Sequence, residues 1–229
     1  MNTAEFLTIA ASMVPERVGI ICNGQEENFA QLQERTLRLA NALQALGLQK
    51  GEKVAVLALN SIPYVETYYA CAKLGLTFVP LNYRAKREEL SYMLNNSGAA
   101  LLFVGERYLD LARSLRQEVP GLRHLVCYDA RPDDMPNYED FIAAHPPEEV
   151  FVDVDDSEPA ILMYTSGTTA LPKGVVLTHL ALSVYVTNTV SPADPAVEEW
   201  EVQLVSVPFF HIAGATTMLA AVWGGRTLV

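Results

Sequence analysis

Residues 164–174 read Tyr-Thr-Ser-Gly-Thr-Thr-Ala-Leu-Pro-Lys-Gly, and no other stretch gathers as many groups suited to holding phosphate. Hydroxyls at Thr165, Ser166, Thr168 and Thr169 flank Gly167, and Lys173, braced by Pro172, follows within one loop's reach. The apolar run Ala160-Ile-Leu-Met-Tyr164 leads in, and Val175-Val-Leu177 leads out. Strand, polar glycine loop and strand together present backbone N–H groups, hydroxyls and one cation to a polyphosphate. The spacing departs from the G-x-x-x-x-G-K-[ST] loop, because Lys173 lies between Pro172 and Gly174. Residue types alone leave two readings, a phosphate cradle or a polar turn between strands. Four hydroxyl residues in the five positions 165–169 favour the cradle.

Composition narrows the partners. The 229-residue chain is 50% hydrophobic and carries a formal net charge of −11. Nucleic acid and anionic membrane both call for a basic surface, so neither is the main partner. Cys22, Cys71 and Cys127 stand singly, which suits reduced thiols and core packing better than a disulfide framework or a zinc site. No basic region followed by a long apolar run opens the sequence, and no apolar stretch is long enough for a transmembrane segment. A soluble, cytoplasmic protein is expected.

The elements that must position the loop alternate. Val18–Cys22 and Glu27-Asn-Phe29 flank Asn23-Gly24, a hairpin signal because both turn positions tolerate positive φ. Asn28, three residues before Gln31, opens a capping box. Leu32, Thr36, Leu39, Leu43 and Leu46 then share one helical face, which Gly47 can close. Lys53–Leu59 is a continuous apolar run, as in a parallel strand covered on both faces. Ser61 can cap a helix ending at Gly75, and 77–81 reads as a strand, with Pro80 marking a sheet edge or a strand end. Helices over 86–96 and 108–119 alternate with strands over 100–104 and 124–128.

Residues 129–159, with five prolines and eleven carboxylates, read as a connector holding one short helix near Tyr138–Ala144. A second segment adds a helix near 180–189, a strand over 202–207, a helix to Trp223 and a strand over 226–229. The expected fold is α/β: layered, mostly parallel sheets flanked by helices, with an N-terminal part over 1–150 and a second part over 151–229 that carries the loop.

The loop resembles the nucleotide-binding signature Y-T-S-G-T-T-G-x-P-K-G of the adenylate-forming superfamily, which includes the AMP-dependent acyl-CoA synthetases. It matches at every specified position except 170, where Ala replaces Gly. If the backbone there needs positive φ, Ala costs energy. Pro208-Phe-Phe-His-Ile-Ala-Gly214 resembles the family's P-L-F-H-x-x-G element. Gly51–Val56 and Pro80–Ala85 resemble synthetase N-terminal segments, so the likeness covers essentially the whole chain.

The resemblance implies that Thr165, Ser166, Gly167, Thr168 and Thr169 wrap the ATP β- and γ-phosphates, with Thr165 nearest a Mg2+ ion. Lys173 would face the leaving pyrophosphate, His211 would lie beside the acyl carboxylate, and Gly214 would leave room for the acyl group. His179 is read as structural, and His124 and His145 as structural or exposed. The implied reaction joins a fatty or aromatic carboxylic acid to AMP and then to coenzyme A; a homodimer is compatible with it. No aspartate that would hold an amino acid's ammonium follows His211 closely. The family's later elements, including its small C-terminal domain, are missing, so the expectation is an N-terminal portion inactive by itself. The alternatives are a non-catalytic nucleotide- or acyl-binding module and, less favoured, an unrelated phosphotransferase.

Overall fold

The computed structural model describes residues 1–165 and 171–229. It opens with helix α1 (Ala4–Met13) and the hairpin β1 (Val18–Cys22) and β2 (Gln25–Asn28). Asn23 and Gly24 turn it at φ 52° and 77°, as the Asn-Gly pair leads one to expect. Asn28 and Gln31 exchange both bonds of the capping box at 2.8 and 2.9 Å, starting α2 (Phe29–Ala45). Leu32, Thr36, Leu39 and Leu43 are buried along its inner face.

Strand β3 (Lys53–Leu57) leads to α3 (Ile62–Leu74), and β4 (Thr77–Pro80) to α4 (Arg87–Ser97). Strand β5 (Ala99–Val104) leads to α5 (Leu109–Glu118), and β6 (His124–Cys127) to α6 (Tyr138–Ala143). Then come β7 (Pro159–Thr165), β8 (Lys173–Thr178), α7 (His179–Thr189), β9 (Val202–Gln203), α8 (Ile212–Trp223) and β10 (Thr227–Leu228).

Two sheets result, in the orders β2-β1-β10-β9 and β6-β5-β3-β4-β7-β8. The second is parallel except for the β7–β8 hairpin. Alternate side chains of its central strands feed two cores. Val54, Val56, Leu101 and Phe103 pack with residues of α2 and α3, while Ala55, Leu57, Leu102 and Val104 pack with residues of α4 and α5. Burial on both faces is why β3 and β5 read as unbroken apolar runs. Each sheet draws strands from both sides of residue 150.

One open reading is resolved and three sequence expectations are corrected. Pro80 marks a strand end and not an edge, since β4 runs between β3 and β7 and Pro80 is its last residue. Ser61 occupies the N-cap of α3, but its hydroxyl makes no cap bond. Pro63 at the second helical position has no N–H to offer it. The strand expected over 202–207 is regular only at Val202–Gln203, and its ladder bonds end at the Val205 N–H, which donates to the Val229 carbonyl at 2.7 Å. Beyond it the Val207 carbonyl bonds to the Asn60 side chain, and Pro208 has no N–H to continue a ladder. The closing strand expected over 226–229 pairs from Thr227 to Val229, because the Arg226 N–H donates instead to the Ala221 carbonyl of α8 at 2.9 Å.

The acidic connector is more firmly packed than its composition suggests. Tyr138 and Ile142 of α6 are buried, and Glu139 pairs with Arg35 of α2 at 2.7 Å.

Candidate active site

Strand β7 runs parallel to β4, so Thr165 ends it on the carboxyl side of the sheet, where open α/β folds place their ligands. Thr165 and Lys173 are register partners across the β7–β8 hairpin, with the Thr165 hydroxyl 3.5 Å from the Lys173 carbonyl. Both are exposed. The hairpin is held from below by Tyr164, whose hydroxyl donates to Asn96 Oδ1 of α4 at 2.7 Å. Burial pushes the Tyr164 hydroxyl's pKa up, which keeps it a donor. Ser166, Gly167, Thr168 and Thr169, and the off-pattern Ala170, lie outside the described residues.

His211 is the N-cap of α8, at φ −95° and ψ 145°. Its N–H donates to the Pro208 carbonyl at 3.0 Å, and its exposed ring lies 4.5 Å from that of Phe210. Gly214, one turn on, is buried where a Cβ would stand 2.3 Å from the Pro208 carbonyl oxygen. No side chain fits there, so Gly214 is explained by backbone approach as well as by any room it leaves a ligand. Thr165 and Lys173 thus form one pair, and His211 and Gly214 another. No hydrogen bond joins the two pairs among the described residues.

Asn60, in the turn after β3, is a residue that sequence reasoning passed over. Its Nδ2 donates to the Val207 carbonyl at 3.0 Å, and its Oδ1 accepts the Phe209 N–H at 2.8 Å. It holds the strand-to-helix turn that ends at His211. The one available signal was an asparagine beside the candidate cap Ser61, at the end of a parallel strand.

His179 packs as a structural residue. Its Nδ1 lies 2.9 Å from the Thr3 hydroxyl, which in turn lies 2.6 Å from that of Tyr68. Burial lowers its pKa to about 4, so the ring is neutral. His145 Nδ1 lies 3.0 Å from the Phe141 carbonyl, and His124 opens β6 half-buried.

A second charged group is buried away from these residues. Arg35 meets Glu66 at 2.5 Å, Glu139 at 2.7 Å and Glu27 at 2.9 Å, while Tyr138 donates to Glu66. Glu66 is fully buried, and desolvation holds its carboxyl above the ordinary range. Desolvation and the Glu66 charge push Glu27 up to about 8. A cleft of about 1140 Å³ opens beside the group, but none of Thr165, Lys173, His211 and Gly214 lines it. Cleft size and chemistry therefore disagree, and the motif residues mark the candidate site better. Among the described residues no three His, Cys, Asp or Glu side chains form a cation cage. Among the described residues, Thr165 would offer a magnesium ion one neutral hydroxyl oxygen.

The family model described as AMP-binding enzyme matches residues 7–229, which include both motifs. The chain belongs to that family. It is 34% identical over 225 residues to a feruloyl-CoA synthase of an Amycolatopsis species, covering 96% of this chain and 42% of the relative. It is 32% identical over 210 residues to the long-chain-fatty-acid–CoA ligase FadD13 of Mycobacterium tuberculosis, covering 88% and 39%. The inhibitor-bound N-terminal domain of FACL13 from Mycobacterium tuberculosis superimposes with a TM-score of 0.89 at 28% identity, covering 99% of this chain and 56% of that one. The chain thus spans about two-fifths of the curated relatives it matches. The family's fold agrees with the layered, largely parallel α/β architecture expected from the sequence.

Proposed function

We propose that this chain supplies the ATP-phosphate and acyl-carboxylate contacts of an AMP-forming acid–thiol ligase. A carboxylate oxygen attacks the α-phosphorus of ATP, and the bond from that phosphorus to the bridging oxygen breaks, releasing pyrophosphate. The acyl-adenylate then passes its acyl group to the sulfur of coenzyme A, and AMP leaves. Thr165, Ser166, Gly167, Thr168 and Thr169 hold the β- and γ-phosphates with hydroxyls and N–H groups. Lys173 adds a point charge where negative charge builds on pyrophosphate. His211 borders the acyl carboxylate, and Thr165 is the residue that would lie nearest a Mg2+ ion, which would neutralise charge on the phosphates.

The observation that carries this reading is the register pairing of Thr165 with Lys173 at the carboxyl end of a strand that runs parallel within the sheet. It brings the two ends of an eleven-residue signature together at the edge where phosphate ligands bind. The substrate is read as a fatty or aromatic acid. The relatives' names, a feruloyl-CoA synthase and a long-chain-fatty-acid ligase, support that class. The small residues Ala213, Gly214 and Ala215 at the start of α8 suit an apolar acyl group. The reaction is placed in the cytoplasm, a reading supported by three cysteines that form no disulfide.

Carboxylate-dependent exchange of labelled pyrophosphate into ATP, measured on the full-length gene product, tests the proposal. Exchange with at least one fatty or aromatic acid is expected. Failure across a broad panel of both classes sinks it.

A further inference from the structure

We propose that Asn60 is the positioning residue for His211, acting through a two-point clamp on the backbone either side of Pro208. The inference rests on the reading of His211 given above, but the clamp itself is a property of the chain. A primary amide holds an NH₂ donor group and a carbonyl acceptor in a single plane. Here the donor meets the Val207 carbonyl and the acceptor meets the Phe209 N–H, at 3.0 and 2.8 Å. Pro208, between them, has no N–H of its own.

The clamp sets the course of the chain into α8. With Val207 and Phe209 fixed, the Pro208 carbonyl turns toward that helix, where it accepts the His211 N–H and lies against Gly214. Phe209 is buried 5.4 Å from Tyr64 of α3, and Phe210 is buried 5.1 Å from Tyr83, edge to face. Two aromatic anchors set the depth of the turn. They are apolar and rotationally forgiving, so the directional bonds of Asn60 set its orientation. His211 is left at the helix start with its ring exposed. Asn60 belongs to the turn after β3, so the central strand of the large sheet is the reference frame for His211.

Variants of this chain test the clamp by amide hydrogen exchange without any ligand. Asn60→Ala removes both bonds and should lower protection across 207–213 by roughly tenfold or more, the value of about one lost hydrogen bond. Asn60→Asp keeps the acceptor but, ionised, sets a negative oxygen against the Val207 carbonyl. It should behave like the alanine variant at neutral pH. Near pH 3, below the ordinary aspartate pKa of about 3.9, the protonated acid again offers a donor and an acceptor, so protection should return toward the wild-type value at that pH. A purely space-filling role predicts no such rescue. Unchanged protection at 207–213 in Asn60→Ala overturns the clamp. So does a loss spread equally over α2 and α3, which would mean general destabilisation.

In the full-length gene product, Asn60→Ala should lower kcat for pyrophosphate exchange by roughly tenfold and leave the KM for ATP nearly unchanged. Lost protection with unaltered kcat overturns the positioning role. His211→Ala with full exchange overturns the reading of His211 and leaves the clamp standing, so the two fail separately.

Discussion

The Arg35 cluster and the Thr165–Lys173 pair make opposite use of polar chemistry. Around Arg35, three carboxylates and a tyrosine are drawn between β2, α2, α3 and α6, and burial shifts Glu27 and Glu66 upward. At the β7–β8 hairpin the polar groups stand in solvent, and backbone register brings them together. Strongly shifted titration is a common pointer to an active site. In this molecule it points to a structural junction, while Thr165 and Lys173 of the family signature are exposed. Burying charge costs desolvation, which close partners such as those around Arg35 offset, whereas groups that meet a ligand have to stay accessible.

The sharpest way to break that contrast is Glu66→Ala. It empties a fully buried position and leaves Tyr138 and part of Arg35 without a partner. A loss of about 3–5 kcal/mol is expected in urea unfolding, the usual cost of breaking a buried pair. A loss below about 1 kcal/mol would place the cluster with ordinary surface ion pairs.

Gly214→Ala comes next, because its Cβ would meet the Pro208 carbonyl oxygen at 2.3 Å. The turn must shift, at about 1–3 kcal/mol in the same assay. A neutral result would mean that backbone approach does not explain this glycine.

Smaller effects should appear in the pH dependence. Glu27 has a folded pKa raised from 4.5 to about 8, so its contribution is complete below about 4.5 and is lost as pH rises through about 8. Glu27→Gln should flatten that alkaline loss. His179 shifts the other way, from 6.5 down to about 4; its contribution is present above 6.5 and lost as pH falls toward 4. Thermal melts between pH 4 and 9 would show both limbs, and an alkaline limb unchanged in Glu27→Gln would remove Glu27 as its cause.

The smallest effect on stability is expected from Lys173→Met, at an exposed strand end. Its melting temperature should match the wild type, while pyrophosphate exchange by the full-length protein should fall about tenfold, as for the loss of a charge-assisted contact. A changed melt with unchanged exchange would reverse the comparison between the two regions.

Much of the fold could be read directly. Asn23-Gly24, the Asn28–Gln31 box and the unbroken run at Lys53–Leu59 are local signals; the first two sit where they were expected, and the run yields a strand that stops at Leu57. The errors arose where a distant group took over a local one. Val207 left the strand ladder because Asn60, 147 positions earlier, binds its carbonyl. Glu66 lies in the buried middle of α3, where a carboxylate needs a cation, and the one it meets, Arg35, is 31 positions earlier. The short helix within 129–159 was legible, but the acidic composition hid how firmly α6 packs, with Tyr138 and Glu139 completing the same cluster.

By itself, then, the sequence determined the alternation of elements and the residue types of the loop and of the Phe-His-x-x-Gly turn. Those depend on neighbours within a few positions, where periodicity and turn chemistry act. Only the tertiary structure decided that the two sheets each combine early and late strands, that Gly214 is shaped by the Pro208 carbonyl, and that the large sheet's central strand leads into the residue clamping the turn before His211. Such contacts join residues far apart in the chain. Their strength comes from desolvation and from fixed donor–acceptor geometry, which exist only once the chain has packed.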